Sequence, residues 1–390
     1  MGRFHRTVLL LGVTSLVADV ASEMAWPLLP ALILSQAGGS AFYVGLIEGL
    51  ANGTSALWKL LGGLLADRRP ARKPLVVGGY LVSGLARPLL AFAGSPLHVL
   101  AVRMTDRVGK GLRTAPRDAM LGAVVTSEEA GRAYGFHRAM DHAGAVLGPL
   151  VAAGLLALGW DVPSVLLATV VPGVLAAGCA GLVREPPAPT PHLEAGAAPA
   201  EPLSRPFRSL ILRLAVFRLG LATEALPLLW LGQQTGQKAA MPLAWAGYNL
   251  AQVVGTGLGG GWADRYPRAR VIATTQAGTA LAALALVLAP PWAGLGAFVL
   301  YGGLVGACEP AEKALVRQLA PVSGRGRAFG WYNMLIGSAA LASGAGLGGL
   351  WVAQGPQAAL GLGAGVALLG AAAVWGWRAP PVSAPAPGSP

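Results

Sequence analysis

The sequence predicts an all-α membrane protein of twelve transmembrane helices in two pseudo-symmetric six-helix bundles. Three observations carry that expectation: a charge-poor apolar composition, twelve apolar runs long enough to cross a bilayer, and short motifs that recur in the second half of the chain.

Of the 390 residues, 54% are hydrophobic and only 12% charged, against about 25% charged in an ordinary soluble domain. Mean hydropathy is +0.57. The 56 glycines suit close helix crossings in lipid, and the 30 prolines suit loops and helix breaks. The formal net charge of +12 does not imply a nucleic-acid partner, because the cations fall in alternate loops rather than on one face. The two cysteines, Cys179 and Cys308, sit inside apolar runs and support neither a disulfide framework nor a metal site.

In order, the first-half runs cover residues 8–34, 42–65, 74–93, 97–121, 132–157 and 162–182. Those of the second half cover 210–232, 241–262, 271–290, 293–318, 328–352 and 357–377. The first run follows Arg3 and Arg6 as a signal peptide would, but it continues through Pro27 and Pro30 and is too long to be a cleavable core. It is read as a retained helix. The domains expected are an N-terminal bundle at 1–182, a Pro- and Ala-rich cytoplasmic linker at 183–208, a C-terminal bundle at 209–378 and a disordered tail at 379–390.

Loop charge sets the orientation. Arg68, Arg69, Arg72 and Lys73 follow the second run, Arg265, Arg268 and Arg270 the eighth, and Arg325 and Arg327 the tenth. The intervening loops are free of Lys and Arg except for Lys238, so both termini are expected in the cytoplasm of a prokaryotic cell, with the chain in the inner (plasma) membrane. Trp160, Trp262, Trp292, Trp351, Trp375 and Trp377 lie at run ends and read as interfacial anchors.

The fourth run is anomalous. Arg103, Asp106, Arg107, Lys110, Arg113 and Arg117 recur at helical spacing. A charge at the bilayer centre costs about 2.5–3.5 kcal/mol on insertion scales, so this row must line a protein interior or a watery pathway.

The halves repeat each other. Gly63-Leu-Leu-Ala-Asp67-Arg68 answers Gly260-Gly-Trp-Ala-Asp264-Arg265, and Gly131-Arg-Ala-Tyr-Gly135 answers Gly326-Arg-Ala-Phe-Gly330. Glu23 before Pro27-Leu-Leu answers Glu224 before Pro227-Leu-Leu, and Ala115-Pro116-Arg117-Asp118 answers Glu309-Pro310-Ala311-Glu312. Such a duplication places a pathway at the interface of the halves.

With the Gly-x-x-x-Asp-Arg loops after the second and eighth runs, the chain resembles the major facilitator superfamily over all but linker and tail. The stretch Asp106-Arg-Val-Gly-Lys-Gly-Leu-Arg-Thr-Ala-Pro-Arg-Asp118 is similar to a subgroup of its prokaryotic permeases. The resemblance implies a cytoplasmic latch from Asp67, Arg68, Arg72, Asp264 and Arg265, although Pro70 and Pro267 stand where the family has glycine. It also sets Arg103 where proton-driven antiporters carry a helix-four arginine, with Asp106 and Arg107 departing from that motif. Gly135, Gly144, Gly148 and Pro149 match part of a helix-five pattern associated with exporters, with Ala152 and Ala153 departing from it.

A carboxylate's proton affinity rises on burial and falls beside an arginine, so motion between halves can switch its protonation. Asp19, Glu23 and Asp141 are the expected proton carriers, with Arg103 modulating them and Asp106 counted in the same proton-coupling group. Glu48, Arg107, Lys110, Arg113, Arg138, His142, Arg218, Glu224 and Glu309 are expected along the substrate pathway. Each of these has a plainer reading as a satisfied interior pair. Gly109-Lys110-Gly111 lacks the spacing of a phosphate loop, and no Cys/His cluster or nucleophile triad is legible, so neither cofactor, metal nor enzymatic activity is expected.

The reading is a monomeric secondary transporter that exports a small solute or drug against protons by alternating access. An alternative is proton-coupled import of an anionic solute attracted by Lys110, Arg113 and Arg117. A third, from another class, is a membrane sensor or assembly partner that does not transport.

Overall fold

The computed structural model describes residues 6–68, 72–185, 203–221, 223–237, 239–320 and 325–377. The side chains of residues 56, 59–60, 63–64, 66–68, 127–131 and 325–327 also lie outside the description. Twelve helical spans result: α1 Arg6–Ser35, α2 Ala41–Arg68, α3 Lys73–Phe92, α4 Pro96–Gly122, α5 Ser127–Ala157, α6 Val162–Gly181, α7 Arg205–Thr235, α8 Ala240–Arg265, α9 Arg268–Leu288, α10 Pro291–Leu319, α11 Arg325–Gln354 and α12 Pro356–Trp375. Among the described residues there is no strand, and nine spans are long and apolar enough to cross a membrane. α2, α4 and α8 are not among the nine, and in α4 the charged row accounts for it.

Prolines and small caps mark the ends and breaks. Pro96, Pro291 and Pro356 open α4, α10 and α12, where a missing N–H costs nothing. The Ser95 hydroxyl caps α4 by accepting the His98 N–H at 3.2 Å. α1 tightens to a 3₁₀ turn at Trp26–Leu28 around Pro27, and α3 does so at Arg87–Phe92 around Pro88. α7 is interrupted between Gly220 and Ala225. It starts at Arg205, inside the segment read as linker, with the Ser204 hydroxyl accepting the Phe207 N–H at 3.3 Å.

Helix pairing carries the duplication. α1 packs on α5 and α6, α2 on α4, and α3 on α4 and α6. Adding six to each number gives the pairs of the second half: α7 on α11 and α12, α8 on α10, and α9 on α10 and α12. The halves meet where α2 packs on α11 and α5 on α8, two contacts that the same operation exchanges. At the α2–α11 crossing the backbones touch: a Cβ added at Gly45 would lie 1.9 Å from the Gly344 carbonyl oxygen.

Burial is uneven along the bundle. Remote from the termini, Leu28, Ile33, Val44 and Leu90 share one core with Leu226, Trp245, Phe298 and Leu360 of the other half. Near the termini each half has its own core, one around Leu11, Tyr80 and Met120 and the other around Leu214, Leu315 and Tyr332. Trp160, Trp262, Trp292 and Trp375 are exposed, as anchors should be. Trp351 and Trp377 are buried instead; Trp351 packs edge-on against Trp230 with ring centroids 6.3 Å apart, a protein contact that outbids the interface.

Candidate functional site

Helix α4 turns its charged row toward α1, α2 and α3. Asp106, 1% exposed, is the hub: Arg87 Nη2 lies at 2.9 Å, Arg107 Nη2 at 3.2 Å and Arg103 Nη1 at 3.6 Å. Arg103 also donates to Glu48 Oε1 from Nη2 at 2.7 Å and from Nε at 3.1 Å. Arg113 donates to Ser83 Oγ at 2.8 Å and lies over the Tyr80 ring, 4.3 Å from its centroid. Lys110 Nζ is 3.9 Å from Asp19 Oδ1. Arg117 pairs with Asp118 at 2.9 Å and donates to Ser15 Oγ at 3.2 Å. The cations thus all have partners, and Arg113 is withdrawn into the core of its own half.

Two carboxylates of α1 face this row because α5 crosses very close to them. A Cβ added at Gly144 would lie 2.6 Å from the Leu16 oxygen and 2.9 Å from Asp19 Cβ; one at Gly148 would lie 2.7 Å from the Val20 oxygen and 2.9 Å from Glu23 Cβ. The small residues of the helix-five pattern therefore seat α1 at its two acidic positions. Gly135, in the same pattern, has nothing within 4 Å of an added Cβ.

Above the carboxylates lies an aromatic layer built from both halves. Trp26 of α1 stacks on Trp245 of α8 at 3.8 Å, and Trp245 stacks on Tyr248 at 4.6 Å, with Phe298 and Tyr301 of α10 behind. Each of the first three rings donates to a different glutamate. Trp245 Nε1 reaches Glu23 Oε2 at 2.8 Å, Trp26 Nε1 reaches Glu48 Oε2 at 3.1 Å, and the Tyr248 hydroxyl reaches Glu224 Oε1 at 3.3 Å. The Glu23 bond joins residues 222 positions apart and links the two halves.

Closer to the termini, Asp141 accepts from Ser15 Oγ and lies 3.7 Å from His137 Nδ1 and 4.0 Å from Arg138 Nη1. Arg138 also lies 3.9 Å from Glu309 of α10, which Lys313 contacts, so a second charged link crosses between the halves. His142 is half-buried beside this pair on α5, without a hydrogen bond among the described residues. Arg218 pairs with Glu312 at 3.5 Å rather than with Glu224, and the Tyr332 hydroxyl donates to Glu312 at 2.7 Å.

The latch is only partly described. The side chains of Asp67 and Arg68 lie outside the described residues. The backbone N–H groups of Arg72 and Lys73 donate to the Glu185 carboxylate at 2.9 and 2.7 Å, a cap on α3. Asp264 and Arg265 are exposed and in no ion pair among the described residues.

Sequence reasoning missed Trp26, Trp245, Tyr248, His137, Tyr332 and Glu185. Trp26, three residues after Glu23, could have been found from helical spacing alone. The partners on α8 and α11 carry no local signal, since only the packing of distant spans brings them in.

The family model described as Major Facilitator Superfamily matches residues 11–226 and 209–390. The chain belongs to the major facilitator superfamily. This MFS chain is 35% identical over 215 residues to an uncharacterized MFS-type transporter of Methanocaldococcus jannaschii, covering 55% of the chain and 54% of that relative. It is 32% identical over 146 residues to the multidrug resistance protein MdtH of Aeromonas hydrophila, covering 37% of the chain and 36% of that protein. The chain therefore spans about half the length of the first relative and about a third of the second. The solved nucleoside transporter NupG superposes with a TM-score of 0.81 over 95% of this chain and 99% of its own, at 12% identity, a likeness of fold. These relatives and neighbours are membrane transporters rather than enzymes, and the MFS chain is a multi-pass membrane protein.

Proposed function

We propose that this protein is a secondary active transporter of the prokaryotic plasma membrane that works as a monomer by alternating access and exports a small solute in exchange for protons. The observation that carries the reading is the 2.8 Å hydrogen bond from Trp245 Nε1 to Glu23, a protonatable group of one half held by the other where the halves share a core. With both termini cytoplasmic, the shared core closes the outer side, while on the inner side the halves keep separate cores joined by the long Arg138–Glu309 contact, which parting would break.

Coupling follows from charge. A carboxylate at Glu23 grips Trp245 and keeps the outer side shut; neutralising it, by a proton or by a bound solute, loosens that grip and lets the halves rock. Proton and solute then compete for Glu23 and its neighbour Asp19, which is the requirement for antiport. Lys110 stands beside Asp19 and Arg103 holds Glu48 next to the layer, so both bias the competition. Asp106, gripped by three guanidiniums, acts as a static brace, and Asp141 with Arg138 and Glu309 forms the path toward the inner side.

Export is supported by the tight Gly144–Gly148 crossing and by the partial likeness to a multidrug resistance protein. The engagement of Lys110, Arg113 and Arg117 with partners of their own weighs against capture of an anionic solute. The test is dye-reported proton flux in proteoliposomes, screened against pools of drugs, lipophilic cations, organic anions and divalent metals. Solute-driven proton movement opposite to the solute, abolished in Glu23→Gln and reduced in Asp19→Asn, is the expected result. Co-directional movement would establish import instead, and absence of flux from folded protein would favour a sensor.

A further inference from the structure

At the end of the C-terminal half nearest its terminus, a cavity of about 690 Å³ opens between the α8–α9 turn, the last turns of α10 and the end of α12. Its volume lies in the range of small-ligand sites, about 300–1,000 Å³. Tyr266, Arg268, Arg270, Gln318, Trp375 and Trp377 line it above an apolar floor that includes Ala263 and Leu315.

Two features set this cavity apart from the charged row of α4. The first is unmatched charge. Arg268 donates to the neutral Gln318 at 2.7 Å, Arg270 is exposed, and neither meets a carboxylate among the described residues. Arg265 and Arg317, next in sequence to the lining residues Tyr266 and Gln318, are exposed and likewise without an ion pair among the described residues, and Asp264 is the one acid beside Arg265. The adjoining sequence 379–390 holds no Asp or Glu to supply the missing charge. The second feature is depth. Three spans end at the cavity, which in a bundle that crosses a bilayer corresponds to headgroup depth, and Tyr266 and Trp375 stand 61% and 59% exposed beside the arginines. Rings of this kind settle at the boundary between acyl chains and water, and basic pockets at that depth take lipid phosphates.

We propose that this cavity binds the headgroup of an anionic phospholipid from the leaflet on the side of the termini. Arg268 and Arg270 meet the phosphate, Tyr266 and Trp375 flank the glycerol region, and the apolar floor receives the start of an acyl chain. Arg268, positioned by Gln318, presents its fork to the phosphate oxygens. The lipid would brace the turn that carries Asp264 and Arg265.

The experiment uses the full chain, stripped in detergent and titrated with phosphatidylglycerol or phosphatidylcholine, with bound lipid counted by native mass spectrometry. Phosphatidylglycerol binds in preference, and Arg268→Gln/Arg270→Gln weakens it by about 25-fold, about fivefold for each arginine taken from a lipid surface. Arg6→Gln/Arg184→Gln, which removes two exposed cations elsewhere, leaves that affinity within about twofold. A second readout does not depend on removing charge. Brominated phosphatidylglycerol quenches tryptophan fluorescence, and Trp375→Phe removes a measurable part of that quenching. Equal binding of both lipids, equal losses in the two arginine pairs, or displacement of the lipid by millimolar inorganic phosphate would overturn the proposal; the last would assign the cavity to a soluble anion.

Discussion

Replacing Asp106 with asparagine keeps the shape of the side chain and removes one negative charge from a site where three guanidiniums lie within 3.6 Å. Arg87, Arg103 and Asp106 are all at most 5% exposed, so water cannot take over the work of the carboxylate. Breaking a buried pair by removing one partner costs about 3–5 kcal/mol, because the other charge is left without compensation. Here three cations share the loss and only Arg103 retains a second carboxylate, Glu48, so the cost belongs at the upper end, about 5 kcal/mol. The assay is reversible unfolding of purified protein in mixed micelles by denaturant, followed by helicity, with wild type and Asp106→Asn compared at one lipid composition. The double variant Arg87→Leu/Asp106→Asn, which takes away one orphaned cation, recovers about 1–3 kcal/mol of the loss. A single variant within about 1 kcal/mol of wild type, yet inactive in proton flux, would refute the reasoning and return Asp106 to the proton pathway.

Gly144→Ala forces a methyl group against the Leu16 carbonyl oxygen at 2.6 Å and costs about 1–3 kcal/mol, whereas Gly135→Ala, with open space around it, is neutral in the same thermal melt. Trp245→Phe keeps the stacked ring but deletes the N–H donated to Glu23. Losing about 1–2 kcal/mol from that link raises the population with the outer side open by roughly 5- to 30-fold, to be read from spin-label distances across the outer ends of α1 and α7; unchanged distances would dismiss the link. Arg138→Gln removes a long, solvent-accessible contact to Glu309, so unfolding free energy stays within about 1 kcal/mol of wild type, and a larger loss would show that the pair is desolvated.

Much of the architecture is legible in the sequence, for a simple reason. A bilayer imposes length and apolarity on every span separately, so each span announces itself locally, and a duplication announces itself by recurrence. The twelve spans, the equivalence of the halves and the interior placing of the α4 row all followed from local pattern. Helical spacing also put Asp19 and Glu23 on one face of α1, and the glycines of α5 proved to be what seats that face.

Tertiary structure decided which charges meet. The row from Arg103 to Arg117 looks from its sequence like an open cationic wall, yet its members are divided between Asp106 and Asp118 of their own helix and Glu48, Asp19, a serine hydroxyl and a tyrosine ring on other spans. Arg218 and Glu224, neighbours in sequence, are separated by the break in α7, and each finds its partner on another helix. The aromatic layer exists only because α1 of one half meets α8 of the other, bringing Glu23 to Trp245 across 222 positions. Hydrophobicity is a property of each segment and can be read in place. Pairing is a property of the approach of two segments, set by which glycines let backbones touch and by the rotation of each helix, and that information lies in the packing of the whole bundle.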